Sequence, residues 1–181
     1  MSSSTHTTLH KQQPLLVVVM GVSGTGKSTL AIEIANRSGF TFLDADALHS
    51  ADAIEQMSKG IPLTDTQRAP WIERISSQLR EYESENKSCV LAYSGLKQQH
   101  RQLIFASYHK SMGILLDANQ ALIAQRLTDR DGHFMSPQLL TSQIADMEPI
   151  NSKPVESITL LALSATEPVE KLLLESINFI G

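Results

Sequence analysis

Residues 14–29, PLLVVVMGVSGTGKST, join a continuous apolar run to a glycine-rich loop, and no other segment restricts the fold as strongly. Gly21–Ser28 fits the pattern G-x-x-x-x-G-K-[ST], in which a loop cradles nucleotide phosphates. An apolar run without polar alternation is typical of a strand buried on both faces of a parallel sheet. After the loop, apolar residues recur at helical spacing until Gly39. This context of strand, loop and helix predicts nucleotide binding rather than a chance glycine-rich turn.

The chemistry of phosphate assigns roles within this loop. A helix amino terminus offers unpaired N–H donors and the positive end of a dipole, and glycines let the backbone turn its amides inward. Lys27 can reach the β- and γ-phosphates, which makes it a predicted catalytic residue, and the Ser28 hydroxyl can ligate Mg²⁺. The predicted nucleotide-binding residues of the loop are Gly21, Ser23, Gly24, Thr25, Gly26, Lys27, Ser28 and Thr29.

Strand and helix patterns alternate along the rest of the chain. Further strands are predicted at 40–46, 89–94, 112–116 and 157–163. Helices are predicted around Ala53, Ile54 and Met57, ending near Gly60, and at about 66–85, 97–107, 119–129, 138–147 and 167–178. Such alternation predicts an α/β fold with a parallel sheet and right-handed crossovers. Sites in these sheets lie beyond the carboxyl ends of the strands, where the motifs of this chain also fall.

Composition excludes several other classes of protein. The 181 residues carry a formal net charge of −4, which argues against nucleic-acid binding by bulk charge. No apolar run approaches the roughly 20 residues of a membrane helix, so we expect no membrane partner. The single cysteine, Cys89, allows no intrachain disulfide and indicates an intracellular protein. Residues 1–13 are polar and predicted to be a flexible tail, leaving 14–181 as one domain.

The loop motif alone is compatible with GTPases, motor ATPases and small-molecule kinases. Motor and switch proteins usually end a neighbouring strand in a carboxylate that is linked to Mg²⁺, but here the third strand ends at Ser94. Asp117 ends the fourth strand, and we interpret it as a helix cap because a helical pattern follows it. The guanine-reading pattern N-K-x-D is absent from the sequence. Chain length and these missing parts favour a small kinase.

Two carboxylates, Asp44 and Asp46, follow the second predicted strand in FLDADALHS. Residues two apart in a strand point to the same side, so both are expected at one edge of the site. One can lie near Mg²⁺ while the other accepts the proton of an attacking hydroxyl. The alternative is that one or both cap the helix that starts near Ala47.

Basic residues are expected to meet the acceptor and the migrating phosphoryl group. The candidates are His49, Arg68, Lys97, Arg101, Arg126, Arg130 and His133. Arg126 and Arg130 are four apart on a helix that runs into DGHFMSPQ, which suggests a lid that brings guanidinium groups over the phosphates. The alternative for each is a solvated surface group. Trp71 is interpreted as a packing residue.

Six segments, in order, resemble the small P-loop gluconokinases. They are MGVSGTGKST, FLDADALHS, KGIPLTDTQRAPW, SGLKQQHRQL, RLTDRDGHF and SQIADMEP, between residues 20 and 149. The first is shared with many nucleotide-binding proteins, whereas the others are much more specific. The resemblance implies a three-layer αβα P-loop NTPase of the nucleoside-monophosphate-kinase type, with strand order 2-3-1-4-5 and a mobile lid at about 130–147.

The resemblance also implies an activity: transfer of phosphate from ATP to the 6-hydroxyl of D-gluconate, with Mg²⁺, in a cytoplasmic homodimer. Asp46 would be the base, with Lys27 and Arg130 as the other catalytic residues. Ser28 and Asp44 would hold the metal, and Arg126 would bind nucleotide. The implied substrate-binding residues are Asp46, His49, Arg68, Lys97, Arg101, His133 and Gln143. The segment SATEP, at 164–168, lies where related folds clamp the adenine.

The chain departs from the family pattern at Ala45, Gly95 and His100, where the family commonly has Gly, Ala and Tyr. An additional methyl group at Ala45 is tolerable in a strand, and His100 could alter one acceptor contact or the pH profile. Alternatives remain open. A shikimate-kinase-like enzyme needs the same parts, a nucleoside-monophosphate kinase would need a base-specific pocket, and a regulatory nucleotide-binding module would need no catalytic groups.

Overall fold

The computed structural model describes residues 13–119, 121–123, 126, 137–150 and 158–181. Its strands are β1 (Leu16–Met20), β2 (Thr41–Asp44), β3 (Cys89–Tyr93), β4 (Ser111–Asp117) and β5 (Thr159–Ser164). Its helices are α1 (Lys27–Ser38), α2 (Ala51–Ser58), α3 (Asp65–Ser84), α4 (Gln98–Phe105), α5 (Pro137–Asp146) and α6 (Val169–Ile180), with a 3₁₀ helix at Ala45–Leu48. Residues 121–123 are also helical.

The five strands form one parallel sheet in the order β2-β3-β1-β4-β5, as the sequence resemblance predicted. All five residues of β1 are buried because both edges and both faces of this strand are covered. Alternate side chains feed two cores: Val17 and Val19 pack on the side of α1 and α6, whereas Leu16 and Val18 pack on the side of α3 and α4. The carboxyl end of β1 therefore emerges between two packed layers, which places the glycine-rich loop rigidly.

The second strand is shorter than predicted. It ends at Asp44, whose Oδ1 accepts a hydrogen bond from the Asp46 backbone N–H at 3.0 Å and starts the 3₁₀ helix. The prediction that Asp44 and Asp46 share one side of a strand is therefore wrong, and so is the placement of Ala45 in a strand. Asp44, rather than Asp46, is the cap.

Local signals position the helix that carries Arg68 and Trp71. Thr64 caps α3, with its hydroxyl accepting from the Gln67 N–H and the Gln67 side chain returning to the Thr64 backbone. This reciprocal capping satisfies two N–H groups that a helix start leaves unpaired. Helix α3 therefore begins at a defined residue, and Arg68 comes at the end of its first turn. No helix among the described residues is both long and apolar enough to cross a membrane.

Candidate active site

The glycine-rich loop connects β1 to α1 and has the backbone geometry that the motif requires. Gly26, the residue before α1, adopts left-handed φ of 96°, and Gly21 has φ of 146°. A Cβ atom at Gly21 would lie 2.6 Å from the Leu116 carbonyl oxygen, so only glycine fits there. Because α1 starts within the loop, its unpaired N–H groups point into the loop, where an anion can accept from them.

Side chains of the loop fold back over it. The Lys27 Nζ and the Thr25 Oγ1 both donate to the Val22 carbonyl, at 3.1 and 3.0 Å. The Ser23 backbone N–H donates to Gln143 Oε1 at 2.8 Å, which joins the loop to α5. Lys27 and Ser23 also line a cleft on the α3 side of the loop, which we call the acceptor cleft.

On its other side, the loop borders a cavity of about 330 Å³, which we call the nucleotide cavity. Gly24, Gly26 and Thr29 line one wall, and Ala165 and Glu167 of the predicted adenine-clamping segment line another. The Arg126 guanidinium joins these walls, donating to the Thr25 carbonyl at 3.2 Å and to the Ala165 carbonyl at 2.7 Å. The structure therefore brings 164–168 and Arg126 to the phosphate loop.

The two predicted magnesium ligands are adjacent. The Ser28 hydroxyl donates to Asp44 Oδ2 at 3.3 Å. Hydroxyl and carboxylate oxygens suit Mg²⁺, which usually takes few protein ligands and keeps waters and substrate phosphates. Among the described residues, no group of three or more His, Cys, Asp or Glu converges as a metal cage. The Ser28–Asp44 pair therefore fits a cation shared with nucleotide phosphates.

Asp46 lies in the 3₁₀ helix and lines the acceptor cleft together with Lys27. Its Oδ1 is 3.9 Å from His49 Nε2. The carboxylate is about one-third exposed, so it faces the cleft rather than the core. The structure thus places a charged acceptor for a proton beside the lysine of the phosphate loop.

His49 stacks on Trp71, with ring centroids 4.1 Å apart and an angle of 15° between the planes. Trp71 is fixed in turn by its Nε1–H, which donates to the Ala45 carbonyl at 2.7 Å. Burial, followed by the charges of Arg74 and Arg68, lowers the pKa of His49 to about 4. His49 is therefore a neutral imidazole at pH 7, which can offer a hydrogen bond to a molecule in the cleft but not a positive charge.

The acceptor cleft is narrow. Its volume is about 50 Å³, which holds a few water molecules at roughly 10–15 Å³ each rather than a sugar acid. Helix α5 covers it, because Leu139 packs against Met57 and Leu63. Sequence reasoning missed several residues of the wall, and only Trp71 had a signal, as the one tryptophan of the chain. These additional lining residues include Trp71, Ser94, Leu139 and Ser142.

Arg68 and Lys97 meet in a network of ion pairs around Asp146. Arg68, which also lines the cleft, donates to Asp146 Oδ2 at 2.6 Å and to Asp65 Oδ1 at 3.1 Å. The Lys97 ammonium lies 3.4 Å from Asp146 Oδ1 and 3.9 Å from Glu148 Oε1. The structure therefore brings the two predicted substrate cations together, but with carboxylates of the protein already beside them.

Arg101 has a different environment from the one predicted. Its guanidinium is buried and donates to the carbonyls of Gly95, Leu96, Glu148 and Pro149, at 2.6 to 3.3 Å. These bonds hold the residues after β3 against those after α5. Both Nη groups of Arg101 are thus bonded to backbone oxygens, which favours a structural role over the predicted role as a substrate ligand.

The remaining predictions have mixed outcomes. Arg130 and His133 lie outside the described residues, as does the 130–136 part of the predicted lid.

The cap after β4 is Asn119, whose Oδ1 accepts from the Leu122 N–H at 2.9 Å, and not Asp117. Gly95 has φ of 66°, a left-handed conformation that glycine adopts most readily, and a Cβ there would approach the Met20 side chain to 3.0 Å. His100 is buried, and burial lowers its pKa.

Comparison with known proteins gives consistent results. Residues 16–149 match a family model described as an AAA domain. A gluconokinase of Gluconobacter oxydans is 41% identical, over 83% of this chain and 85% of the relative. Two solved structures are each 33% identical and cover 92% of this chain: a sugar kinase from Janibacter, with a TM-score of 0.86 over 94% of its chain, and a gluconokinase from Sinorhizobium meliloti, with 0.78 over 91%. The resemblance of the sequence motifs is thereby confirmed, and the chain belongs to the gluconokinase family.

Proposed function

We propose that this protein transfers the γ-phosphoryl group of ATP to the 6-hydroxyl of D-gluconate, giving 6-phospho-D-gluconate and ADP. The observation that carries the proposal is that Lys27, Asp46 and Arg68 line one cleft beside the phosphate loop. A phosphate-binding cation, a proton acceptor and an anion-binding guanidinium are the groups that a kinase for a hydroxy acid needs.

The arrangement of these groups suggests an order of events. Asp46 accepts the proton of the 6-hydroxyl as its oxygen attacks the γ-phosphorus. The bond from that phosphorus to the bridging oxygen breaks, and ADP leaves with the electron pair. Lys27 stabilises the charge that spreads over the transferring group. Neutral His49, stacked on Trp71, contributes a hydrogen bond to the substrate without adding charge.

The acid end of the substrate is proposed to bind Arg68 and Lys97. A guanidinium matches a carboxylate with two parallel hydrogen bonds, and Lys97 adds a point charge. Gln143 is proposed to contact the hydroxyls, since it lines the cleft next to the loop. His133 is kept as a proposed substrate ligand and Arg130 as a proposed catalytic residue, on the resemblance of the motif RLTDRDGHF.

The cofactor assignments follow from the other side of the loop. We propose that ATP binds in the nucleotide cavity, with Arg126 and 164–168 near the base. Ser28 and Asp44 would hold Mg²⁺, which neutralises phosphate charge when bound. The predicted nucleotide-binding residues remain proposals for the whole loop, including Ser23 and Thr29.

Location and assembly are proposed on the family resemblance. We propose a cytoplasmic homodimer in which 14–181 forms one domain and about 130–147 acts as a lid. The Cys89 thiol is buried and unreactive, because burial raises its pKa to about 12. Size-exclusion chromatography with light scattering measures the mass of the protein in solution and so tests the dimer. The mass of a monomer at micromolar concentration would refute it.

The experiment that tests the activity is an ADP-release assay with Mg·ATP and four acceptor conditions: D-gluconate, shikimate, AMP or none. We expect turnover with gluconate alone, and phosphorus NMR should find a phosphomonoester on a primary carbon. Lys27→Ala provides the control for contaminating kinases. Turnover with shikimate instead would favour the shikimate-kinase-like alternative, and ATP binding without turnover on any acceptor would favour a regulatory nucleotide-binding module.

A further inference from the structure

The two cations that are proposed to bind the acid group of the substrate lie in surroundings that are unfavourable to an anion. The two cations, Arg68 and Lys97, are paired with three carboxylates: Asp65, Asp146 and Glu148. The cluster therefore carries an excess of one negative charge. An incoming carboxylate would be repelled in this arrangement, so one of the three must give up its place for the acid to bind.

Two of these carboxylates, Asp65 and Glu148, also stabilise the start of a helix. Asp65 is half-exposed in the first turn of α3, where a negative charge favours the helix dipole. Glu148 Oε2 accepts from the Gln98 backbone N–H at 2.6 Å, at the start of α4, where Lys97 provides no side-chain cap. Removing Glu148 would leave that helix start unpaired. Both therefore contribute to local structure whether or not a substrate is present.

Asp146 differs from Asp65 and Glu148 in its position on its helix and in pairing with both cations. It is the last residue of α5, where a negative charge opposes the helix dipole. Its side chain is bonded to Arg68 and Lys97 and bridges the two, one oxygen to each. Burial raises its pKa, but the hydrogen bond and charge of Arg68 and the charge of Lys97 outweigh this and hold the pKa below the usual value. A carboxylate between two cations is the arrangement expected of a bound acid substrate.

We infer that the Asp146 carboxylate is an internal competitor: it occupies the Arg68–Lys97 cation pair in the absence of substrate and is displaced by the carboxylate of the acid that binds there. This inference rests on the proposed function, which assigns the pair to an acid substrate. The small volume of the cleft agrees with it, because Asp146 lies on the helix that covers the cleft. Asp146 is therefore a positioning residue that sets how much acid is needed and how strongly acids are preferred over neutral polyols.

The test compares the full-length protein with Asp146→Asn and with a matched control, Asp65→Asn. Both variants remove one carboxylate from Arg68, but only the first removes the bridge to Lys97. If Asp146 occupies the pair about 70–90% of the time, its removal should lower the gluconate KM about three- to tenfold with kcat unchanged. Asp65→Asn should leave KM within about twofold.

Binding is measured separately by the fluorescence of Trp71, the only tryptophan, which lines the same cleft. Gluconate and glucitol, a neutral polyol with a carbon chain of the same length, are titrated without ATP. The Asn variant should tighten gluconate binding and leave glucitol binding unchanged, since glucitol does not compete for the cations. Asp146→Ala repeats the test, with thermal unfolding of each variant as a check of folding.

The outcomes separate the inference from the proposed function. An unchanged or raised gluconate KM in a folded Asp146 variant would overturn the inference while gluconate turnover by the wild type sustained the function. Weaker binding of both ligands would instead make Asp146 a hydroxyl ligand. Tighter gluconate binding in Asp146→Asn, together with no gluconate turnover by the wild type, would sustain the inference and refute the function. If Asp146→Asn and Asp146→Ala both failed to fold, the bridge between Arg68 and Lys97 would have a role in stability, and the inference would be overturned.

Discussion

The nucleotide cavity and the acceptor cleft meet at the same loop, yet their walls come from different parts of the chain. The nucleotide cavity is walled largely by consecutive residues of two short segments, and its volume is about 330 Å³. The acceptor cleft is walled by side chains from several separate segments and narrows to about 50 Å³. A phosphate site made of backbone N–H groups is preformed, since the loop conformation itself creates it. A site made of converging side chains is adjustable, because those side chains bind one another until a substrate replaces one of them.

The first way to break this comparison is to remove the lysine of the phosphate loop, the loop that both regions border. Lys27→Ala should reduce turnover about 10³-fold, because no other described side chain replaces its charge at the transferring phosphoryl group. The measurement is steady-state ADP release with gluconate. Lys59→Ala, which removes an exposed lysine paired with Glu55, is the control and should keep full activity. Equal turnover by Lys27→Ala would refute phosphoryl transfer at this loop.

The second prediction separates chemistry from nucleotide binding. Asp46→Asn should lower kcat about 10²-fold, because the amide cannot accept the proton of the attacking hydroxyl. The KM for ATP should change little, since Asp46 lies in the acceptor cleft rather than the nucleotide cavity. Both constants come from one set of saturation curves. A change confined to the ATP constant would move Asp46 to the metal or nucleotide side.

The third prediction concerns acid recognition. Arg68→Ala should raise the KM for gluconate about 10- to 100-fold, the range expected for losing a charge-assisted hydrogen bond pair. The KM for ATP should stay near the wild-type value because Arg68 lines the acceptor cleft and not the nucleotide cavity. Turnover of glucitol, which lacks the carboxylate, gives the comparison. If Arg68→Ala impaired both substrates equally, Arg68 would be supporting the cleft and not reading the acid.

The fourth prediction tests whether Arg101 has a structural role. Arg101→Met should lower the free energy of unfolding by about 1–3 kcal/mol, because buried carbonyls lose a charged donor. Urea unfolding measures this, and Arg80→Met is the matched control because the Arg80 guanidinium is half-exposed and paired with Glu73. The control should cost less than about 0.5 kcal/mol. A folded, stable Arg101→Met with a strongly raised gluconate KM would restore Arg101 as a substrate ligand.

The smallest expected effect is the pH dependence of stability at His49. Its pKa is about 4 in the folded protein against 6.5 for a free histidine, so the unfolded chain binds more protons between these values. Stability should therefore be complete above pH 6.5 and decline as the pH falls towards 4. Thermal unfolding at pH 7.5 and 5.0 should show a smaller decline for His49→Asn than for the wild type. His109→Asn, which replaces an exposed ring, should decline as the wild type does.

Several parts of the protein follow from short stretches of sequence. The loop at 21–28, the strand before it and the capping of α3 by Thr64 are local, because they depend on glycine dihedrals, an apolar run and hydrogen bonds between residues three apart. The strand order came from the family resemblance and was confirmed. The boundary of β2 was wrong because a single hydrogen bond, from the Asp46 N–H to Asp44, turns the chain two residues early.

The sequence alone determined the nucleotide side of the site, because the phosphate loop is a run of consecutive residues that binds through its backbone. Only the tertiary structure decided the acceptor side. Burial against Trp71 makes His49 neutral, backbone carbonyls from two distant segments occupy Arg101, and Asp146 reaches Arg68 across 78 positions of the chain. Charge state and pairing depend on burial and on neighbours brought together by folding, and no spacing along the chain encodes either of them.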